Sequence, residues 1–218
     1  MPRALLKLLT LLGAIGSLPA SPLPHRTPPA RDAGPSRLEA TSAPIPGQTG
    51  EQQAAVQDRK SRAMRLRAAY VSKIPAYITP AAKAKNSTSP FVIAVVGNDV
   101  FADAIRKLLP GKTIHKRKVK VVVVDPTIAA TTTKHTHDLL YVATSINQAV
   151  VKRILESHKQ LATPLMSSRP AFASKGGGLQ LFIKNNKVKF EVNHKALKAQ
   201  GMKVSSQLLK LSTKGPLK

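Results

Sequence analysis

His135, His137 and Asp138 form an H-x-H-D cluster, the densest group of chemistry-bearing side chains in the sequence. Alternating histidines on an extended segment project to one side and can hold a divalent metal. No third or fourth ligand stands nearby, so the plainer reading is a polar lead-in to a strand that starts at Leu139. His115 belongs to the basic run IHKRKVK and reads as a solvated strand end. The carboxylates of residues 61–218 are Asp99, Asp103, Asp125, Asp138, Glu156 and Glu191. They are scattered, and no pair has the spacing of a general acid and base. Serine in the G-x-S-x-G pattern is absent. Cysteine is absent too, which excludes disulfides, thiolate metal ligands and lipidation of a cysteine.

Two glycine sites remain. VVGNDVF, around Gly97, follows an apolar run and precedes a helix, where a doubly wound fold binds ligands. It has one glycine in place of the three of a dinucleotide fingerprint. Gly97 therefore reads as a turn, with Asn98 or Asp99 capping the helix, and a capping aspartate repels a phosphate. Gly176, Gly177 and Gly178 can cradle an anion through backbone N–H groups. The stronger expectation is that they bend the chain or let another backbone come close.

The elements that hold these residues have clear signatures. Residues 53–72 are rich in Ala, Arg, Gln and Leu and read as a helix that Pro75 ends or kinks. Phe91–Val96 reads as a strand, followed by a helix with Phe101, Ile105, Leu108 and Leu109 on one side and a stop at Pro110-Gly111. The four valines at 121–124 predict a strand covered on both faces. Residues from Leu139 give another strand, and Ser145 or Asn147 caps a helix reaching His158. A short strand near 164–166, a hairpin, a helix over 194–200 and a closing segment complete the order. In the hairpin, Asn185-Asn186 suits a primed two-residue turn. That turn sets Ile183 opposite Val188, Leu181 opposite Phe190 and Leu179 opposite Val192 on one apolar face. Phe182 faces Lys189, and Gln180 faces Glu191, on the wetter face. The fold class is thus α/β, a mixed, mostly parallel sheet with helices on both faces and a C-terminal antiparallel hairpin.

Composition bounds the partners. The chain of 218 residues carries 35 Lys+Arg against 10 Asp+Glu, for a formal charge of +25. Residues 1–20 read as a secretory signal, with Arg3 and Lys7 before an apolar run too short to span a bilayer. Residues 21–60, with seven prolines, read as a disordered linker, and residues 61–218 as the folded domain. The domain keeps 28 basic against 6 acidic residues, so the charge belongs to the body of the protein. Export and the scarcity of aromatics argue against nucleic acid; an acidic partner or an anionic envelope surface is the better fit.

Several segments carry a family resemblance. Gly97, Asp99 and Phe101 end the first strand and open its helix. The three glycines precede Val188, Phe190, Glu191, Val192 and Asn193, and the end reads Gly201, Val204, Ser205, Ser206, Leu208, Leu209 and Leu211. Over residues 61–213 the chain resembles the YfiR/HmsC family of periplasmic proteins. It departs from that pattern in its first helix, which keeps Tyr70, Tyr77 and Pro80 but lacks tryptophan and introduces Pro75. The resemblance implies a non-catalytic, dimeric periplasmic regulator without cofactor or metal. Such proteins hold the periplasmic region of an inner-membrane diguanylate cyclase inactive and so lower cyclic-di-GMP signalling and biofilm output. The concentration of motif residues puts the expected partner contact at Phe172, Gly176, Gly177, Gly178, Ser205, Ser206, Leu208 and Leu209. The alternative expectation is a basic module that holds anionic lipid or cell-wall polymer. A small-ligand site or enzyme at the Gly97 turn ranks last.

Overall fold

The computed structural model describes residues 50–80 and 88–213, all within the unit spanning Pro46–Lys218. The expected signal segment and residues 21–49 of the expected linker lie outside the described residues. Described elements run α1 (Gly50–Lys73), a 3₁₀ turn (Ile74–Tyr77), β1 (Ile78–Pro80), β2 (Phe91–Val96), α2 (Asp99–Arg106), β3 (Thr113–Ile114) and β4 (Arg117–Val124). They continue with α3 (Pro126–Thr131), β5 (Leu139–Val142), α4 (Gln148–Ser157), β6 (Leu165–Ser167), β7 (Leu179–Lys184) and β8 (Lys187–Val192). The last are α5 (His194–Ala199), β9 (Met202–Val204) and α6 (Ser206–Leu211). Residues 50–60, counted with the linker by composition, are helical.

Seven strands form one sheet in the order β3-β4-β2-β5-β6-β7-β8. Pairings from β4 through β7 are parallel, and both ends of the sheet are antiparallel hairpins. The parallel part follows the 2-1-3-4-5 order of doubly wound folds. Alternate residues of each strand point to opposite faces, and the core divides accordingly. Ile93, Val95, Leu139, Tyr141, Met166, Leu179 and Leu181 pack with residues of α1, α2, α5 and α6. Ala94, Val96, Leu140, Val142 and Leu165 pack on the other side with residues of α3 and α4. Helices therefore cover both faces, as the class requires.

The hairpin has the register that its sequence dictates, from Leu179 opposite Val192 to Lys184 opposite Lys187. Asn185 (φ 52°) and Asn186 (φ 57°) both take the left-handed conformation of the primed turn. Ile183 departs from the pattern: it is 38% exposed, because the strand overshoots the core there. The valine run differs more. β4 is half-exposed along its length, with Val123 at 41%. It lies next to the sheet's end, and its outer neighbour β3 pairs only with Arg117 and Lys118. Four valines satisfy an edge position as well as a buried one, so apolar content alone does not place a strand.

Two small features were not legible in the sequence. α3 starts at Asp125, whose carboxylate accepts from the Thr127 and Ile128 N–H groups, with Pro126 in the first turn. β1 and β9 form a separate antiparallel pair, Ile78 opposite Val204 and Pro80 opposite Met202. His115 joins this region: its Nε2 lies 3.1 Å from Pro75 O and 3.0 Å from Ile78 O. It is a half-buried tie to the turn after α1, so its reading as a solvated strand end is corrected.

Candidate functional site

In the 2-1-3-4-5 order the ligand crevice lies between the C-terminal ends of β2 and β5. Gly97 (φ 73°) turns the chain there, and Asn98 Oδ1 accepts from Phe101 N at 2.8 Å to cap α2. Ile146 occupies the crevice so closely that a Cβ on Gly97 would overlap its side chain. Ala143 N donates to Val96 O at 3.1 Å, binding the loop after β5 to the end of β2. Arg169 locks that loop from the far side, donating to Thr144 O at 2.7 Å and Ile146 O at 2.6 Å. The position that other doubly wound proteins open to a ligand is filled by the chain's own side chain. Arg169 escaped notice in the sequence because nothing local marks an arginine that reaches a loop more than twenty residues earlier.

The H-x-H-D segment separates into two structural units. Asp138 makes a bidentate pair with Arg117, at 2.8 and 2.9 Å, and both side chains are buried. Asp138 Oδ2 also accepts from Val92 N at 2.8 Å, and Arg117 donates to the carbonyls of Ser89 and Pro90. Every charge-bearing atom is thus engaged, which is what a buried ion pair needs to be tolerated. It ties the entries of β2, β4 and β5 together. His137 turns the other way, its Nε2 3.4 Å from Nε2 of His158, which is fully buried. His158 Nδ1 lies 2.9 Å from Ile154 O and 3.0 Å from Ser157 Oγ; with the proton on Nδ1, donated to the carbonyl, its Nε2 is the acceptor. His137 Nε2 then donates, and its Nδ1 accepts from Thr136 Oγ1 at 2.8 Å. Burial lowers the His158 pKa. His135 goes to Thr163 Oγ1, 2.8 Å from its Nδ1. Among the described residues no group of three or more His, Asp or Glu side chains is arranged to hold a metal ion.

The expected partner-contact residues fall into two groups on opposite faces of the sheet. Phe172, 2% exposed, belongs to the core under α3 and α4. The glycine run wraps it: Gly177 N donates to Phe172 O at 2.9 Å, and a Cβ on Gly177 would run into the phenyl ring. Gly178 N donates to Leu165 O at 3.1 Å, and its own carbonyl accepts from Asn193 N at 2.9 Å. A Cβ at Gly178 would stand 3.1 Å from Leu165 O and 2.7 Å from Leu197 Cδ2. Close backbone approach is therefore the reason for these two glycines, and Gly176 (φ 103°) is the exposed bend. Ser205 caps α6 through Gln207 N, while Leu208 is buried in the core beneath α1 and α2. Ser206 is exposed, and Ser205 and Leu209 are half-buried. Both groups meet at the end of β8, where Asn193 holds the glycine turn and Ser212, just past α6, accepts from Val192 N at 3.3 Å.

Comparison with known proteins places the chain beside a described family and beside solved structures. A family model described as YfiR/HmsC-like matches residues 64–213. A crystal structure of a conserved domain protein from Vibrio cholerae is 16% identical, with a TM-score of 0.42. The match covers 56% of this chain and 53% of that one, about half its length. Comparison with curated proteins finds no match.

Proposed function

The chain belongs to the YfiR/HmsC-like family, and from that premise we propose a periplasmic, non-catalytic regulator that works by binding a partner protein. The partner is the periplasmic region of an inner-membrane diguanylate cyclase, held inactive so that cyclic-di-GMP output falls; the working form is a homodimer. The family match over residues 64–213 carries this reading. The engagement of the chemistry-bearing residues supports it: Asp138 is spent on Arg117, His137 on His158, and Ile146 fills the crevice. No helix among the described residues is long and apolar enough to cross a membrane.

The contact surface we assign is the exposed part of the motif region. Gly176 and Ser206 face solvent and Ser205 and Leu209 are partly open; Phe172, Gly177 and Gly178 shape the turn at Gly176, and Leu208 anchors α6. Capture of the cyclase's periplasmic region by the purified protein, with Ser206→Arg and Leu209→Arg variants, tests it. Wild-type capture with loss in both variants is the expected result. Undiminished capture by both removes this surface, and no capture by the wild type removes the regulator reading. The excess of basic residues favours a second reading, retention on anionic lipid or wall polymer. That reading requires strong salt dependence, since exposed charges more than about 10 Å apart are screened at ordinary ionic strength.

A further inference from the structure

α1 outruns the body that it packs on. Its buried residues, Ala68, Val71 and Ser72, all lie in the last two turns, and residues 50–60 are exposed. Between this overhang and the tip of the β7–β8 hairpin lies a groove of about 800 Å³. Arg59, Lys60, Arg62 and Arg67 line it, together with Leu66 and Ile183. The groove's carboxylate, Asp58, lies 4.0 Å from Arg65 Nη2, so part of its charge is already answered. Arg67 Nε is buried and has no hydrogen-bond partner among the described residues. Ile183 is the hairpin residue that overshoots the core, and Val56 on the overhang is 41% exposed.

We propose that this groove docks an acidic segment of a partner protein, one that interleaves carboxylates with apolar side chains. The inference rests on the regulator reading above and adds a second contact surface to it. Three of the four cations are arginines, whose planar fork pairs with a carboxylate through two parallel hydrogen bonds. Leu66 and Ile183 offer a place for apolar side chains between those pairs, which a purely anionic polymer does not supply. A concave channel between a helix and a hairpin fits a chain segment, whereas a membrane surface meets a flat or convex face. No aromatic ring among the described residues lines the groove, so these residues offer no platform for base stacking.

The probe is a fluorescein-labelled twelve-residue peptide of alternating Glu and Leu, titrated against the full chain at ordinary ionic strength and read by anisotropy. Arg59 and Arg62 are exposed, so the R59E/R62E variant should fold, which circular dichroism checks. The expected result is at least tenfold weaker binding for R59E/R62E and severalfold weaker binding for I183N. A control that reverses two exposed cations on α5, K195E/K198E, should stay within twofold of wild type. Equal weakening by the control and the groove pair would show generic charge attraction and overturn the proposal. So would poly-glutamate competing as well as the peptide, or phosphatidylglycerol vesicles losing retention with R59E/R62E while peptide binding holds. Cyclase capture by R59E/R62E keeps the two readings separable: peptide binding lost to both pairs alike, with capture intact, discards the groove and leaves the regulator.

Discussion

Gly177 shows how much a missing methyl group can matter. With its amide on Phe172 O and its α-carbon against the phenyl ring, an added Cβ would sit 2.8 Å from that carbonyl and overlap the ring. Backbone cannot yield as a flexible side-chain tip does, so Gly177→Ala should cost about 1–3 kcal/mol through overpacking. Urea denaturation measures this; an unchanged midpoint would mean that the turn relaxes freely. His158 sets a pH dependence. Its folded pKa lies below the unfolded value near 6.5, so between the two the unfolded chain binds the extra proton. Stability from neutral His158 is then complete above about pH 6.5 and is lost as pH falls toward the folded value. With the tautomers assigned above, protonation also sets two N–H groups head to head across the 3.4 Å gap to His137. The urea midpoint should fall from pH 7 to pH 5, and the fall should be smaller in His158→Gln. An identical slope in that variant assigns the effect to other groups.

At the scale of elements, the hairpin is the most legible part. A two-residue turn and strict alternation leave one register, and that register is the one observed. Asn186 holds φ 57° at a place where glycine rests without penalty, so Asn186→Gly should raise stability by about 0.5 kcal/mol. A lowered thermal midpoint would mean that the amide side chain has a role beyond its backbone angle. The caps of α2 and α4 were readable to two candidates each, Asn98 or Asp99 and Ser145 or Asn147, and the structure selects Asn98 and Asn147. What was not readable depends on distance along the chain. β1 and β9 are three residues each and meet across more than 120 positions. Arg117 and Asp138 look like ordinary members of a basic run and a polar lead-in until the sheet brings their strands' starts together. Of the expected contact residues, the sequence located the motif but could not say that Phe172 and Leu208 point inward.

Charge is a property of the whole molecule. An excess of 25 positive charges repels itself in any compact state, and exposed ion pairs such as Arg106–Asp103 and Lys159–Glu156 offset little of it. Raising salt from about 20 to about 300 mM shortens the Debye length several-fold and should lift the thermal midpoint by about 2–4 °C. A midpoint that falls with salt would mean that attractive pairs dominate. The two margins of the seven-stranded sheet also differ in kind. Along the last part of β8 the segment after α6 caps the ladder, with Thr213 N on Phe190 O and Ser212 on Val192 N. Along β4, past the two residues paired with β3, Arg106 is the described side chain that reaches across, to Val121 O. Among the described residues the two margins are thus guarded unequally, and an unguarded strand margin is where a further strand pairs most readily.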